Sequence, residues 1–472
     1  MKSFYITTTL PYVNAEPHIG FAMELIHADI IARWKKSQGF DVFFNTGTDE
    51  HGLKVYKAAL ADNKDPKAYT DELSKKFQEL KSILGLSDDL HFIRTTDEKH
   101  KKAAQRMWEL CKNAGYIEKK KYRLKYCVGC ELEKTDSELI DGKCPIHPDR
   151  ELDVVQEDNY FFKFSEFEEK LTNLYQRDLN VTPDSRLNEI KVLIDRGLED
   201  FSISRLREKM PWGIPVPDDS EHIMYVWFDA LVSYISTLGW PDNIDTFNKF
   251  WGTKEQPNAV QFAGKDQVRQ QAAMWQAMLI AAGLPPTKEI VIHGFLNFNG
   301  QKMSKSLGNV INPQEMVERY GQEAVRAILA GVNQFEDTDV NMDGFLLAYN
   351  SNLADGLGNV VARVMRLAED NLNEPISADF SVPLEVDDAL NKFCVQAAIN
   401  HIRQKMIKKL DEKIQTEKPW ETKDKIVIAD LVKDLGQIAY SLKPFMPETS
   451  EKILIAIKEN KKPENLFPRL NA

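Results

Sequence analysis

Four short runs rich in β-branched and aromatic residues punctuate this chain: SFYITTT (3–9), DVFFN (41–45), NAVQFAG (258–264) and EIVIHGF (289–295). Runs of this length and composition read as strands. Helical spacing follows them. Ile19, Ala22, Met23, Ile26, Ile30 and Ala32 keep to one face, and residues 66–84, 97–114 and 268–282 read as further helices. Strands alternating with helices require a parallel sheet with right-handed crossovers, the doubly wound α/β arrangement. Such sheets bind ligands beyond the carboxyl ends of their strands. The loops PYVNAEPHIG (11–20), TGTDEHG (46–52) and NFNGQKMSKSLGN (297–309) follow such ends.

Two stretches break the pattern. From about 116 to 225 it gives way to short strand-like pieces such as NYFFKF, a Pro-rich segment and a cysteine cluster, as in an insertion. Cys127 and Cys130 form one knuckle, and Cys144 and His147 a second, thirteen residues further on. Three thiolates and one imidazole complete the tetrahedral set of a structural zinc site, so Zn²⁺ is expected here. After about residue 344 strand signals vanish and long helical periods take over. The expected segments are 1–115, 116–225, 226–344 and 345–472.

Five cysteines, three of them within eighteen residues, argue for reduced thiols and a metal rather than a disulfide framework. Cys111 and Cys394 lie in helical patterns and are expected to be buried. The net charge of −11 excludes a wholly basic surface but not a local basic face. No apolar run approaches the ~20 residues of a membrane span, and MKSFYITTT lacks the long apolar core of a signal peptide. A cytoplasmic protein is expected.

The loops carry the chemistry. His18 and Gly20 open a helix whose free N–H groups favour negative charge, and Gly20 allows close backbone approach. Lys302, Ser304 and Lys305 lie in a loop flanked by Gly300 and Gly308, with lysines suited to phosphate oxygens. Each stretch alone also fits a plain helix start or a solvated surface loop. Together they resemble the HIGH and KMSKS signatures of class I aminoacyl-tRNA synthetases, here HIGF and an intact KMSKS. The resemblance implies a Rossmann-like catalytic domain in which His18, Gly20, Lys302 and Lys305 are catalytic and, with Ser304, hold ATP and its Mg²⁺. A zinc-knuckle connective insertion and an all-α anticodon-binding bundle complete the implied fold.

Within that class, TTTLPYVNAEPHIG, FFNTGTDEHG, YVWFDALVSY and FAGKDQVRQQAAMW resemble the methionyl-tRNA synthetase family, over essentially the whole chain. The resemblance implies that Asp49 holds the α-ammonium of L-methionine. Leu10, Tyr12, Trp227, Ala230, Leu231, Tyr234 and Gln271 then line its pocket, where a thioether packs well against aromatic rings. Gly264 and Asp266 meet ATP, Asp266 at the ribose, and Arg205 of SISR meets pyrophosphate. In the helical end, Asn359 and Arg363 share a helix face and Trp420 is placed to stack on an anticodon base of tRNA(Met). Two positions depart from the family pattern. Phe21 replaces the second His of HIGH, and Gln270-Gln271 replaces a Phe-His pair. An insertion of roughly 110 residues leaves little room for an editing domain. The chain ends soon after the bundle, so a monomer is expected. Another class I synthetase, a small adenylyltransferase, or a non-catalytic RNA-binding relative would carry many of the same residues.

Overall fold

The computed structural model describes residues 2–130, 132–134, 139–177, 179–303 and 309–471, with backbone alone for residues 122–124, 132, 133, 155–157 and 302. The chain divides into two compact units. One contains Met1–Glu16, Asp41–Glu79 and Asp89–Ile292, and the other Pro17–Phe40, Leu80–Asp88 and His293–Ala472.

The first unit is built on six strands: β1 (Ser3–Thr7), β2 (Asp41–Thr48), β3 (Leu90–Arg94), β4 (Asn180–Thr182), β5 (Ala259–Gly264) and β6 (Glu289–His293). Their order is β3-β2-β1-β5-β6-β4. The pairs β1–β2, β2–β3, β1–β5 and β4–β6 all run parallel, with Tyr5 opposite both Phe43 and Ala259. Tyr5, Ile6, Phe44, Val260, Phe262, Ile290 and Val291 are all buried, because a parallel sheet is covered on both faces. The chain leaves β1 towards β2 and β5 towards β6, so the strand order reverses between β1 and β5. That switch point is where open α/β sheets bind ligands. The insertion is an antiparallel ribbon of Ile117–Cys127 and Asp153–Phe162, followed by helices Glu168–Arg177 and Asp184–Asp195.

Three local expectations change. The stretch 46–52 is not an open polar loop: β2 runs through Thr48, and Asp49, Glu50 and His51 are only 2%, 0% and 3% exposed. Other side chains satisfy Glu50 and His51, whereas Asp49 is held through its backbone. The helix read over 268–282 is split. A turn of π-helix spans Gln270–Met274, with the Trp275 N–H bonded to the Gln270 carbonyl, before a regular helix Trp275–Ala281. Side chains compete for that backbone: Gln276 Nε2 donates to the Gln271 carbonyl at 3.0 Å, and the Tyr175 hydroxyl donates to the Ala272 carbonyl. Cys111 is buried as expected, but Cys394 is half-buried in the break between helices Leu384–Asn391 and Val395–His401.

The second unit contains helix α1 (Ile19–Ser37), a small sheet and a helical bundle. In the sheet Leu296–Phe298 pairs antiparallel with Gln301–Lys302 and parallel with Thr338–Val340. Asn299 and Gly300 both have positive φ, 51° and 76°, the two-residue turn that matches strand twist. The bundle buries Val360, Val364, Leu390, Ile402, Ile414, Leu431 and Leu435 at helical spacing. Beyond Val340 no strand occurs among the described residues.

Buried Arg326 ties this unit together. Its Nη2 meets Asp29 Oδ2 of α1 at 2.7 Å, its Nε donates to the Phe445 carbonyl at 2.9 Å, and Nη1 donates to the Leu84 carbonyl at 3.2 Å. Burial alone would raise the Asp29 carboxyl, but Arg326, Arg33 and the Ser87 N–H outweigh it and hold it below the usual range.

Candidate active site

In the first unit the site begins where β1 and β2 end. A parallel bridge joins Tyr12 to Asp49: the Asp49 N–H donates to the Pro11 carbonyl at 2.9 Å, and the Val13 N–H to the Asp49 carbonyl at 3.2 Å. Asp49 is therefore positioned by its backbone. The next two residues are held by side chains. Glu50 accepts from Arg94 Nε and Nη2 at 2.6 and 2.8 Å, from Thr96 at 2.5 Å and from Thr48 at 2.8 Å. Its carbonyl accepts from the Trp212 indole at 2.5 Å. His51 Nδ1 lies 2.6 Å from Asp229 Oδ2, and His100 Nε2 lies 2.7 Å from Asp229 Oδ1. Burial would push the Asp229 carboxyl up, but two imidazole partners reverse this and hold it below the usual range.

Asp229 lies in the short helix Val226–Ala230, inside the apolar run VWFDALVSY. An acid in such a run must be paired when buried. That was the available signal for the Asp229–His51–His100 centre, which sequence reasoning missed. The centre fixes the Asp49 segment to the helix that carries Trp227 and Ala230. Trp227 meets Tyr12 edge-to-face, ring centres 6.1 Å apart, and Trp227, Ala230, Leu231 and Tyr234 are buried while Leu10 and Tyr12 are partly so. Gln271 is buried in the π turn. Its Nε2 donates to the Tyr234 hydroxyl, and its Oε1 accepts from Gln261 at 3.1 Å. A glutamine here thus tethers the Tyr234 hydroxyl. Gly264 ends β5, and Asp266 lies exposed in the turn Lys265–Gln267 just beyond it. Arg205 lies to one side. Its guanidinium is 4.5 Å from the Tyr225 ring centre and 5.3 Å from that of Tyr126, and it donates to Ser202 Oγ and the Ser204 carbonyl at 2.7 Å. With Gly52 and Lys209 it lines a cavity of about 190 Å³.

In the second unit His18 caps α1. Its Nδ1 accepts from the Gly20 N–H at 3.1 Å, so in the neutral ring the proton is on Nε2, a donor. A Cβ on Gly20 would lie 3.0 Å from the His18 ring and 3.7 Å from Met303 Cε. The Ile19 N–H donates to the Ile311 carbonyl at 3.0 Å. The two ends of the Lys/Ser loop, Met303 and Ile311, therefore both meet the His18–Gly20 turn. Sequence separation of nearly three hundred residues closes to contact. Ser304 and Lys305 lie outside the described residues, as does the side chain of Lys302, whose backbone pairs with Asn297. Phe21 is buried, so the fourth position of the signature serves packing.

Cys127, Cys130, Cys144 and His147 bring their ligand atoms within 4.8 Å of one another. Cys130 Sγ lies 3.4 Å from Cys144 Sγ and 3.2 Å from His147 Nδ1. Zinc–sulfur bonds of about 2.3 Å imply tetrahedral edges of roughly 3.8 Å, so the four ligand atoms are spaced closely enough to hold an ion. A Cβ on Gly129 would lie 2.6 Å from the His147 ring, so the glycine between the first two cysteines makes room for the fourth ligand. In the bundle Asn359 is exposed at the start of helix Asn359–Asn371, Arg363 pairs with Asp411, and Trp420 is 45% exposed.

A family model described as tRNA synthetases class I (M) matches residues 4–153 and 148–365. A methionine–tRNA ligase of Thermotoga maritima is 37% identical, with 98% of this chain and 76% of that protein covered. One of Rickettsia bellii is also 37% identical, with 100% and 95% covered. A solved structure of Mycobacterium tuberculosis methionyl-tRNA synthetase in complex with methionyl-adenylate superposes with a TM-score of 0.88 at 31% identity, covering 100% of this chain and 99% of that one.

Proposed function

The chain belongs to the methionine–tRNA ligase family of class I tRNA synthetases, and on that premise we propose that it activates L-methionine with ATP and charges tRNA(Met). A methionine carboxylate oxygen attacks the α-phosphorus of Mg²⁺-bound ATP. The bond to the bridging oxygen breaks, pyrophosphate leaves, and methionyl-adenylate forms. A ribose hydroxyl at the tRNA 3′ end then attacks the methionyl carbonyl and AMP leaves. No covalent enzyme intermediate is needed. The rate comes from positioning and from donors aimed at developing charge.

Asp49 is the counter-charge for the α-ammonium, and its backbone bridge to Tyr12 keeps it in place without relying on its carboxylate. Leu10, Tyr12, Trp227, Ala230, Leu231, Tyr234 and Gln271 are proposed for the methionine side chain. His18 Nε2, the Gly20 backbone, Lys302, Ser304 and Lys305 are proposed for the phosphates, Gly264 and Asp266 for the nucleoside, and Arg205 for pyrophosphate. Cys127, Cys130, Cys144 and His147 would hold a structural Zn²⁺. The ion would cross-link both knuckles and leave no open position for catalysis. Asn359, Arg363 and Trp420 are proposed to read the anticodon. The segments 1–115, 116–225, 226–344 and 345–472 are proposed as functional divisions that cut across the compact units. No helix among the described residues is long and apolar enough to cross a membrane. We propose a cytoplasmic monomer.

The observation that carries this reading is the His18–Gly20 turn meeting both ends of the Lys/Ser loop. Exchange of labelled pyrophosphate into ATP tests it. Exchange should require methionine and not leucine, isoleucine or valine, and methionyl-tRNA should form when tRNA is added. A chain that binds tRNA but shows no exchange would instead be a non-catalytic relative.

A further inference from the structure

Two buried titratable side chains of the second unit have no part in the chemistry above. Glu24 lies in α1, one helical turn after Gly20 and on the same face. His293 ends β6, immediately before the strands that carry Lys302. Glu24 Oε2 lies 2.8 Å from His293 Nε2, with side chains only 5% and 7% exposed. On the other side of the ring, Nδ1 lies 2.7 Å from the Gly294 carbonyl. A carbonyl only accepts, so Nδ1 donates there. Nε2 therefore faces a carboxyl oxygen at hydrogen-bond distance, and a second proton must lie between them. Such a charge-assisted contact in a dry setting is strong when made and costly when one partner is lost.

The backbone beside the pair has little freedom. A Cβ on Gly294 would lie 2.3 Å from the Glu336 carbonyl group. The Gly294 N–H donates to the Gln334 carbonyl at 2.9 Å, and the Phe295 N–H to Asp337 Oδ1 at 3.0 Å. The chain then runs through Leu296–Phe298 and the Asn299–Gly300 turn, where the Gly300 N–H donates to Asp339 Oδ1 at 2.6 Å, into Gln301–Lys302. A base held by these contacts and a short hairpin connect His293 to Lys302.

We propose that Glu24 and His293 form a positioning latch. It sets the hairpin that carries Lys302 against the helix face that carries Gly20, and so controls the adenylate-forming step without touching ATP or methionine. The latch rests on the adenylate reading above. The test uses the full chain and its Glu24→Gln, His293→Gln and doubly substituted variants, in methionine-dependent pyrophosphate exchange. Glu24→Gln keeps the shape of the side chain but removes its charge. It should lower kcat by roughly 10- to 100-fold, the scale of a sub-ångström to one-ångström misplacement, with the methionine KM within about twofold. The double variant should be no slower than the worse single one, because both single changes break the same contact. A general loss of fold would instead raise both substrates' KM values and make the losses multiply, which would overturn the latch. If His293→Gln does not fold, Glu24→Gln decides alone. A parent chain with no exchange would overturn the adenylate reading and the latch together. A parent that exchanges, beside a folded Glu24→Gln at full kcat, would overturn the latch only.

Discussion

The residues proposed for the amino acid and those proposed for the phosphates are held by different means. Around Asp49 the protein uses buried ionisable side chains: Glu50 against Arg94, and Asp229 against His51 and His100. At the His18 turn itself it uses the backbone, namely the Gly20 N–H, the Ile19 N–H and the Ile311 carbonyl, with the buried Glu24–His293 pair one helical turn beyond. Side-chain locks hold one geometry and lose much when one partner is removed. Backbone tethers survive most substitutions, because almost every residue offers an N–H and a carbonyl. The contrast fits the proposed chemistry, in which an ammonium needs one fixed counter-charge while phosphate groups change charge as they react.

The sharpest way to break the contrast is Asp229→Ala. It strands two buried histidines and should lower unfolding free energy by about 3–5 kcal/mol in a urea titration, with a higher methionine KM. A loss below about 1 kcal/mol would mean that the centre is not what holds the Asp49 segment.

Acid should separate the two ends next. His27 of α1 donates to the Leu329 carbonyl at 3.1 Å, and burial lowers its pKa to about 4 from 6.5. Between those values the unfolded chain binds a proton that the folded chain does not. Stability should therefore fall as pH drops from 6.5 to about 4, by roughly 3 kcal/mol in all. His27→Gln should flatten that limb in unfolding titrations. Asp229 works in a lower window. Its folded pKa lies below 3.8, so its stabilisation is present above that value and is lost as pH falls through the folded pKa.

Gly20→Ala should separate stability from rate. The added methyl crowds the His18 ring at 3.0 Å, so kcat for exchange should fall about tenfold. The melting temperature should hold or rise, since alanine favours the helix by up to about 1 kcal/mol. The smallest effect is expected for Trp227→Phe. The indole N–H has no partner among the described residues, so losing it should raise the methionine KM less than about threefold.

The same contrast decides what could be read from the sequence. Four strands of the sheet were legible because they are largely buried and carry β-branched and aromatic runs, whereas the edge strands β3 and β4 are short, partly exposed and gave no such run. The metal cluster was legible because its ligand types and spacing are its geometry. Asp229 gave a weaker signal, an acid inside an apolar run, but its two histidine partners, one just beyond β2 and one in helix Glu98–Asn113, lie far away in sequence. The π turn at Gln270 depends on Tyr175 and Gln276 reaching the backbone, which no local pattern announces. The Ile311 tether left no trace at all, because every residue offers a carbonyl.

Steady-state pyrophosphate exchange by Asp49→Asn and His18→Asn, side by side, tests the division of labour most directly. Asp49→Asn should raise the methionine KM by tenfold or more. His18→Asn should lower kcat on the order of 10²-fold and leave the methionine KM within about twofold. The same kinetic change in both variants, or full activity in either, would contradict the account.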